Sequence, residues 1–231
     1  MYLTRIPIDI SHRKGAQFAS SPYRIHAAVE ASFPEHAKRV CESGRILWRL
    51  DDANGRGDCL WLYVLSPEMP DCASIVDQAG TPTDCEPQTK LYDNVLNNVS
   101  CGQCWQFRLK ANPVRKVARD KGNVPRDGIR GSIQGHVTEA QQRTWLLDRA
   151  CAHGFEIMPS ASGADALSVS HRYREQFKRD GGTVTLVTAQ YDGVLKVTDA
   201  QQFRKALGFG IGRAKGFGCG LLTIAPISET R

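Results

Sequence analysis

The sequence of residues 45–66 is RILWRLDDANGRGDCLWLYVLS, and it decides the fold of the first half. Two apolar runs, Arg45 to Leu50 and Cys59 to Ser66, flank the segment Asn54-Gly55-Arg56-Gly57. An Asn-Gly pair between apolar runs is a strong β-hairpin signal, because both residues accept the positive φ angles that a tight turn requires. The segment therefore predicts two adjacent antiparallel strands.

Helix and strand signals surround this hairpin on both sides. Before it, residues 3–8 are strand-like, and Ser21 followed by Pro22 predicts the start of a helix that runs to about Ser32. After it come a short helix over Ala73 to Ala79 and a closing strand at residues 90–92. The order strand, helix, strand, strand, helix, strand is the ferredoxin-like plan.

The second half repeats this plan. It predicts a strand at residues 105–109, a helix at 138–152, strands at 167–178 and 183–189, a helix from Asp199 to about Leu207, and a strand at 221–224. Residues 122–135 predict a mobile loop, and Tyr191-Asp192-Gly193-Val194 predicts another hairpin turn.

We therefore predict an α+β fold of two tandem ferredoxin-like (βαββαβ, RRM-like) domains with a C-terminal glycine-rich loop. The predicted domains are residues 1–95 and residues 96–231. A single larger α+β domain is the alternative.

Composition limits the class of protein. The chain has 231 residues, of which 41% are hydrophobic and 23% charged, which is typical of a globular protein. No apolar run is long enough for a membrane span, and the N-terminus lacks the pattern of a signal peptide, so we expect a cytoplasmic protein. Cys101 and Cys104 form the only CxxC pair, so we expect reduced, mostly buried thiols and predict neither a metal nor a cofactor.

Positive charge is concentrated in two segments. The net charge is +6, and residues 105–130 alone carry eight basic residues against two aspartates. A second cluster comprises Arg172, Arg174, Lys178 and Arg179, opposed by Glu175. Such clusters favour a polyanionic partner, although a merely solvated face is the alternative.

The most unusual segment is GFGIGRAKGFGCG at residues 208–220, with six glycines in thirteen positions. Glycines permit close backbone approach, so successive N–H groups, with Arg213 and Lys215, can converge on phosphate oxygens. The segment matches neither the Walker A pattern nor a dinucleotide-binding GxGxxG. A flexible linker is the alternative, but Phe209, Ile211 and Phe217 favour an ordered loop.

Tyr23 and His26 are three residues apart on the first predicted helix, so both can face one ligand. A histidine with an ordinary pKa can transfer protons at neutral pH, although a purely structural histidine is common in such a place. His171 lies within the second basic cluster and could contact a nucleic acid.

Three motifs together resemble one family, the CasE-type CRISPR endoribonucleases of type I-E Cascade complexes. The motifs are Ser21-Pro22-Tyr23-Arg24-Ile25-His26, residues 107–113 (FRLKANP) and residues 211–222 (IGRAKGFGCGLL). Residues 1–5 and 47–50 are also similar to their counterparts, whereas residues 72–99 match poorly.

The resemblance implies a specific function. It implies metal-independent cleavage of precursor CRISPR RNA below the repeat stem-loop, leaving a 2′,3′-cyclic phosphate and a 5′-hydroxyl. It also implies retention of the product within Cascade, with the repeat hairpin RNA and other Cascade subunits as partners and no membrane. Tyr23 and His26 match the family's catalytic pair. Some relatives carry a lysine shortly after this histidine, but residues 27–31 of this chain are AAVEA and contain no lysine.

From these patterns we predict catalytic and RNA-binding residues. Tyr23 and His26 are the predicted catalytic residues, with their acid and base roles left open. The predicted RNA-binding residues are Arg115, Lys116, Arg172, Arg174, Lys178, Arg179, Gly210, Gly212, Arg213, Lys215 and Gly216. A non-catalytic RNA-binding module and, less favoured, a small-molecule phosphate enzyme are the competing hypotheses.

Overall fold

The first half is a four-stranded antiparallel sheet. The computed structural model describes residues 1–52, 58–80, 85–117, 132–160, 163, 165–179 and 182–227. The strands up to residue 91 are β1 (Tyr2–Asp9), β2 (Val40–Cys41), β3 (Gly44–Arg45), β4 (Leu47–Asp52), β5 (Cys59–Ser66) and β6 (Gln88–Leu91). The sheet has the order β4-β5-β1-β6, and β2 pairs with β3 separately. The pairing of β4 with β5 confirms the predicted strand pair, whose turn, 54–57, lies outside the described residues.

Helices cover one face of this sheet. The helices before residue 100 are α1 (Arg13–Ala19), α2 (Pro22–Ala31), α3 (Ala73–Ala79) and α4 (Asp93–Asn98). The predicted bounds of α3 and the predicted N-cap of α2 are confirmed, whereas α1 and α4 were not predicted. Ile25 and Val29 of α2 are buried in one apolar cluster with Ile6, Ile8 and Leu62 of the sheet. This packing fixes the rotation of α2 about its axis.

The second half has a longer sheet. Its strands are β7 (Cys104–Ala111), β8 (Val114–Val117), β9 (Ser132–Gly135), β10 (Phe155–Ile157), β11 (Leu167–Arg179), β12 (Gly182–Val197) and β13 (Leu222–Ala225). The order is β10-β12-β7-β13, and β11 pairs with the same edge of β12 as β10 does. β8 and β9 form a separate two-stranded ribbon. The predicted loop at 122–135 therefore ends in a strand, and its residues 122–131 lie outside the described part.

The predicted hairpin turn at Tyr191-Asp192-Gly193-Val194 is wrong. All four residues lie inside β12 and pair with β7. A Cβ added to Gly193 would lie only 2.2 Å from the carbonyl oxygen of Ala166. Glycine is therefore required here by a close backbone approach within a strand and not by a turn.

Two helices, α5 (Glu139–Ala150) and α6 (Ala200–Phe209), pack on the second sheet. Thr138 and Gln141 form a capping box at the start of α5, and Asp199 caps α6 by accepting from the backbone N–H groups of Gln201 and Gln202. Both starting points confirm the predicted ones. In each half the strand order follows the ferredoxin-like βαββαβ plan, which confirms the predicted fold class. The boundary between residues 95 and 96 falls within α4 and stays a prediction.

The two halves are joined by a buried arginine. Arg49 of β4 is 2% exposed and donates to both carboxylate oxygens of Asp51 at 2.6 and 2.8 Å. Its guanidinium also donates, at 2.9 Å each, to the carbonyl oxygens of Arg108 and Leu221 and to the hydroxyl of Thr223. One side chain of the first sheet thus satisfies three oxygens of the second.

Candidate active site

Helix α2 presents both predicted catalytic side chains away from the core. The Ser21 hydroxyl accepts from the backbone N–H of Arg24, and Pro22 occupies the first turn. Because the core-facing residues Ile25 and Val29 are buried, Tyr23 and His26 lie on other faces of the helix. Tyr23 is 45% exposed and His26 is half-buried. This exposure leaves both side chains available to a ligand.

The segment Gly210–Gly220, named the glycine loop below, is an ordered structure. It follows α6, and the backbone N–H of Ile211 donates to the carbonyl of Gly220 at 2.9 Å. The N–H of Gly220 donates in turn to the carbonyl of Lys110 on β7. A single 3₁₀ turn, Lys215–Phe217, lies at the middle of the loop. These hydrogen bonds fix the loop at both of its ends.

The glycine loop covers the His26 imidazole. A Cβ added to Gly216 would lie 3.6 to 3.8 Å from three ring atoms of His26. The ring of Phe217 meets the imidazole edge-on, with centroids 6.4 Å apart and an interplanar angle of 63°. A Cβ at this position would thus be in ordinary van der Waals contact with the imidazole, and a larger side chain would press against it.

A third element joins the site. Phe177 of β11 contacts Phe217 in a T-shaped arrangement with centroids 4.9 Å apart. The sequence analysis singled out neither Phe177 nor the contact of Phe217 with His26. No local pattern could have revealed either, since the two phenylalanines are forty positions apart and His26 is much farther away. The glycine loop therefore contacts His26 of α2 directly, and β11 supports the loop through Phe217.

Several glycines of the loop serve its packing. Gly210 has φ +73°, and a Cβ there would lie 2.7 Å from the Gly220 carbonyl oxygen and 2.9 Å from Leu47. A Cβ on Gly212 would meet Trp145 at 3.0 Å, and one on Gly218 would meet Trp48 at 2.5 Å. These close approaches explain the glycines without any ligand. RNA binding by Gly210 and Gly212 stays a prediction.

The two basic residues of the loop differ. Arg213 is exposed, whereas the ammonium group of Lys215 donates to the carbonyl of Gly212 at 2.6 Å. Burial, followed by the nearby charge of Arg45, lowers the pKa of Lys215. Lys215 in turn contributes, after burial, to a lowered pKa of His153. Lys215 is thus engaged within the loop, while Arg213 is available to a ligand.

The remaining predicted RNA-binding residues fall into three groups. Arg115, Lys116 and Arg174 are exposed. Arg172 donates to the side chain of Gln142 and to the carbonyl of Val137, so its guanidinium ties β11 to the start of α5. The side chains of Lys178 and Arg179 lie outside the described part of the structure.

The cysteine side chains are less buried than the sequence suggests. Only Cys59 and Cys219 of the eight cysteines are buried, so the expectation of mostly buried thiols is wrong. Within the described ranges, His, Cys, Asp and Glu side chains form no group of three or more that could hold a metal ion. A cleft of about 640 Å³ lies between the two sheets, and neither Tyr23 nor His26 lines it. None of the helices described has the length and apolar character that crossing a bilayer requires.

Comparisons with known proteins agree with the observed fold, and the matched residues include Tyr23, His26 and the glycine loop. A family model described as CRISPR associated protein matches residues 1–226. The CRISPR-associated endoribonuclease Cse3 of Thermus thermophilus is 28% identical over an alignment of 237 positions, covering 98% of this chain and 100% of that protein. The CRISPR system Cascade subunit CasE of Escherichia coli is 28% identical over 190 positions, covering 72% of this chain and 89% of that protein.

Solved structures are similar in fold along the whole chain. Thermus thermophilus Cse3 bound to an RNA representing a pre-cleavage complex aligns with a TM-score of 0.73 at 22% identity, covering 97% of this chain and 98% of that one. Cas6e of Escherichia coli aligns with a TM-score of 0.65 at 23% identity, covering 98% and 100%. At these identities the likeness concerns the fold.

Proposed function

Because this chain belongs to the family of CRISPR-associated proteins, we propose that it is an endoribonuclease that cuts precursor CRISPR RNA below the stem-loop of each repeat. Two relatives support the proposal, one named as a CRISPR-associated endoribonuclease and one as a Cascade subunit. The reaction needs no metal, leaves a 2′,3′-cyclic phosphate and a 5′-hydroxyl, and ends with the protein still bound to its product.

One observation carries the proposal: the His26 imidazole lies under the glycine loop, one helical turn from the exposed Tyr23. A histidine that is covered on one side and open on the other can bind a phosphodiester at its open side and transfer a proton to or from it. Phe217 meets the imidazole from the side of the second half, and Phe177 packs behind Phe217. The RNA enters from the side on which Tyr23 is exposed.

The chemistry uses the RNA's own nucleophile. The 2′-oxygen bonds to the adjacent phosphorus, and the bond from phosphorus to the 5′-oxygen breaks. One group removes the proton of the 2′-hydroxyl, and another gives a proton to the departing 5′-oxygen. His26 performs one of these transfers, and Tyr23 performs the other or orients the attacking hydroxyl. Which of the two residues acts as acid and which as base is left open.

Basic side chains hold the RNA phosphates. Arg115, Lys116, Arg174 and Arg213 are exposed and can contact phosphate oxygens by charge-assisted hydrogen bonds. Lys178 and Arg179 are assigned to the same task from their sequence position at the end of β11. We keep Arg172, Lys215 and the loop glycines as proposed contacts. The guanidinium of Arg172 also donates to Gln142, and the ammonium group of Lys215 also donates to the carbonyl of Gly212.

A non-catalytic RNA-hairpin-binding subunit on the same fold is the second candidate. One experiment separates the two: repeat-hairpin RNA is incubated with the protein in excess chelator, and products are resolved by length and end group. Cleavage with a cyclic phosphate end supports the proposal, whereas binding without cleavage favours the second candidate. Replacing the ribose upstream of the scissile phosphate by deoxyribose should stop cleavage but not binding; normal cleavage of that RNA would point to water attack.

The compartment and partners follow from the proposed substrate. The protein acts in the cytoplasm, where the precursor transcript is made, and then remains with the other Cascade subunits on the product RNA. Cell fractionation followed by copurification with the processed RNA tests both points.

A further inference from the structure

Strand β11 carries an exposed aromatic pair beside the candidate active site. The rings of His171 and Tyr173 stack almost in parallel, at 9°, with centroids 6.3 Å apart. Tyr173 is 56% exposed, and His171 is exposed as well. The catalytic step proposed above uses neither ring. An exposed pair of stacked rings on a basic strand therefore needs another explanation.

The backbone at His171 is irregular. The pairing of β11 with β12 shifts register between Ser170 and Tyr173, and His171 has φ +43°. A left-handed conformation at a residue other than glycine is sterically unfavourable and persists only where surrounding contacts hold it. Residues two apart share a face of a strand, and the bulge brings the His171 and Tyr173 rings of this face together as a stacked pair.

Contacts from both halves of the molecule hold the imidazole. Gln190 donates its amide N–H to Asp192 at 2.6 Å, so its amide oxygen faces His171 and accepts from Nδ1 at 3.2 Å. On the other side, Nε2 of His171 lies 3.8 Å from a carboxylate oxygen of Asp52 at the end of β4. The ring is thus fixed before any ligand binds.

The aromatic pair lies on the same face of β11 as Phe177, which contacts Phe217 of the glycine loop. Residues 173, 175 and 177 alternate onto one face of the strand, and Phe177 of that face contacts Phe217, which contacts His26. Tyr173 is about 13 Å along the strand from Phe177. RNA that reaches from His26 along this face therefore passes over the aromatic pair.

We propose that His171 and Tyr173 form a stacking platform for one unpaired base of the RNA that flanks the hairpin. This inference rests on the proposed function and adds to it a site that recognises single-stranded RNA. Proteins read unpaired nucleotides by stacking their bases on aromatic side chains, which suits any base. Because contacts already hold the imidazole, stacking costs little conformational entropy.

The test measures affinity separately from cleavage. The RNA is a repeat hairpin with unpaired flanks, a deoxyribose at the cleavage position, and an abasic site placed in turn at each flanking nucleotide. Tyr173→Ala should lower affinity for the complete RNA about 5- to 150-fold, and Tyr173→Phe, which keeps the ring, should leave it nearly unchanged. His171→Asn accepts the left-handed backbone but lacks a ring, and it should weaken binding less than Tyr173→Ala.

The abasic series identifies the base. One abasic position should weaken binding to the wild type but cause no further loss in Tyr173→Ala, because both changes remove the same stack. Wild-type affinity in Tyr173→Ala for the complete RNA overturns the platform. An equal further loss at every abasic position overturns it too.

A parallel cleavage assay with all-ribose RNA distinguishes failure of the stacking platform from failure of the proposed function. Cleavage by the wild type together with undiminished binding by Tyr173→Ala overturns the platform alone. Absence of cleavage together with a position-specific loss in Tyr173→Ala overturns the proposed function and supports the platform. Absence of any RNA binding by the wild type overturns both.

Discussion

The glycine loop and the β11–β12 hairpin both reach the candidate active site, but they are built in opposite ways. In the loop, glycines let the backbone approach Trp48 and Trp145, and the Lys215 ammonium group is bound internally. In the hairpin, Tyr173 and Arg174 point into solvent. The loop is held by its own contacts, whereas the hairpin offers side chains to a ligand.

This difference indicates a division of labour. Groups that must be placed accurately lie where close packing leaves them little freedom, and groups that contribute affinity lie where a long RNA can reach them. Changes at the loop and at α2 should therefore alter the cleavage rate, and changes at the hairpin should alter RNA affinity. The following predictions test that separation, starting with the largest expected effect.

His26→Ala should slow single-turnover cleavage roughly 10²- to 10⁴-fold, the usual contribution of a general acid or base. RNA affinity should be nearly unchanged, because the imidazole acts on protons. His36→Ala is the matched control, since His36 is an exposed histidine of the same half. A His26→Ala rate above about a tenth of the wild-type rate would show that the acid–base assignment is wrong.

Gly216→Val should lower the cleavage rate on the order of 10²-fold by displacing the His26 imidazole, because small misplacements of a reacting group are costly. The control is Gly216→Ala, whose single Cβ would sit at ordinary contact distance, 3.6 Å or more from the ring. Rates are measured at saturating protein, and affinity separately. A loss of affinity with an unchanged rate would reverse the roles assigned to the loop and the hairpin.

Charge reversal at Lys178 and Arg179 should weaken binding and lower the slope of log affinity against log salt by about 0.7–0.9 for each lost phosphate contact. Cleavage within the bound complex should change little, since the predicted catalytic helix α2 belongs to the other half. Each single charge reversal is compared with Lys205→Glu, at an exposed position on α6, which changes the net charge by the same amount. An unchanged slope would show that this cluster is a solvated face and would favour Arg115 and Lys116.

The smallest expected effect concerns pH. Burial, followed by the charges of Lys215 and Arg149, lowers the pKa of His153 in the folded state. The unfolded chain then binds more protons, so stability is fully present above the unfolded pKa near 6.5 and falls as the pH drops through it. His153→Gln should flatten the decline of Tm between about pH 7 and 5. Part of the decline should remain, because the pKa of His136 is also lowered. An unaltered profile would contradict the lowered pKa of His153.

The sequence predicted those elements whose signals lie in neighbouring residues. Helix α3, the caps at Ser21 and Asp199 and the start of a helix near Thr138 were predicted because capping and periodicity depend on neighbouring residues. The short strands β2, β3 and β10 were missed, since two or three residues carry no period.

Long-range contacts lay beyond such patterns. Asp192-Gly193 has the composition of a turn, but Gly193 is needed because the carbonyl of Ala166, just before β11, approaches it closely. Tyr23 and His26 were predicted as a catalytic pair from motif and spacing, whereas the cover that Gly216 and Phe217 provide over His26 depends on tertiary packing. The left-handed backbone at His171 likewise has no sequence signature.

The buried Arg49 has a consequence for how the molecule melts. If the second half unfolded alone, Arg49 would keep Asp51 but lose its three acceptors in that half, and if the first half unfolded alone, those three oxygens would lose this donor. A hydrogen bond to a charged group typically contributes about 1.5–3 kcal/mol. The halves should therefore lose structure in one cooperative calorimetric transition, even though each has its own sheet and core cluster. Two ferredoxin-like units joined in this way behave thermodynamically as one.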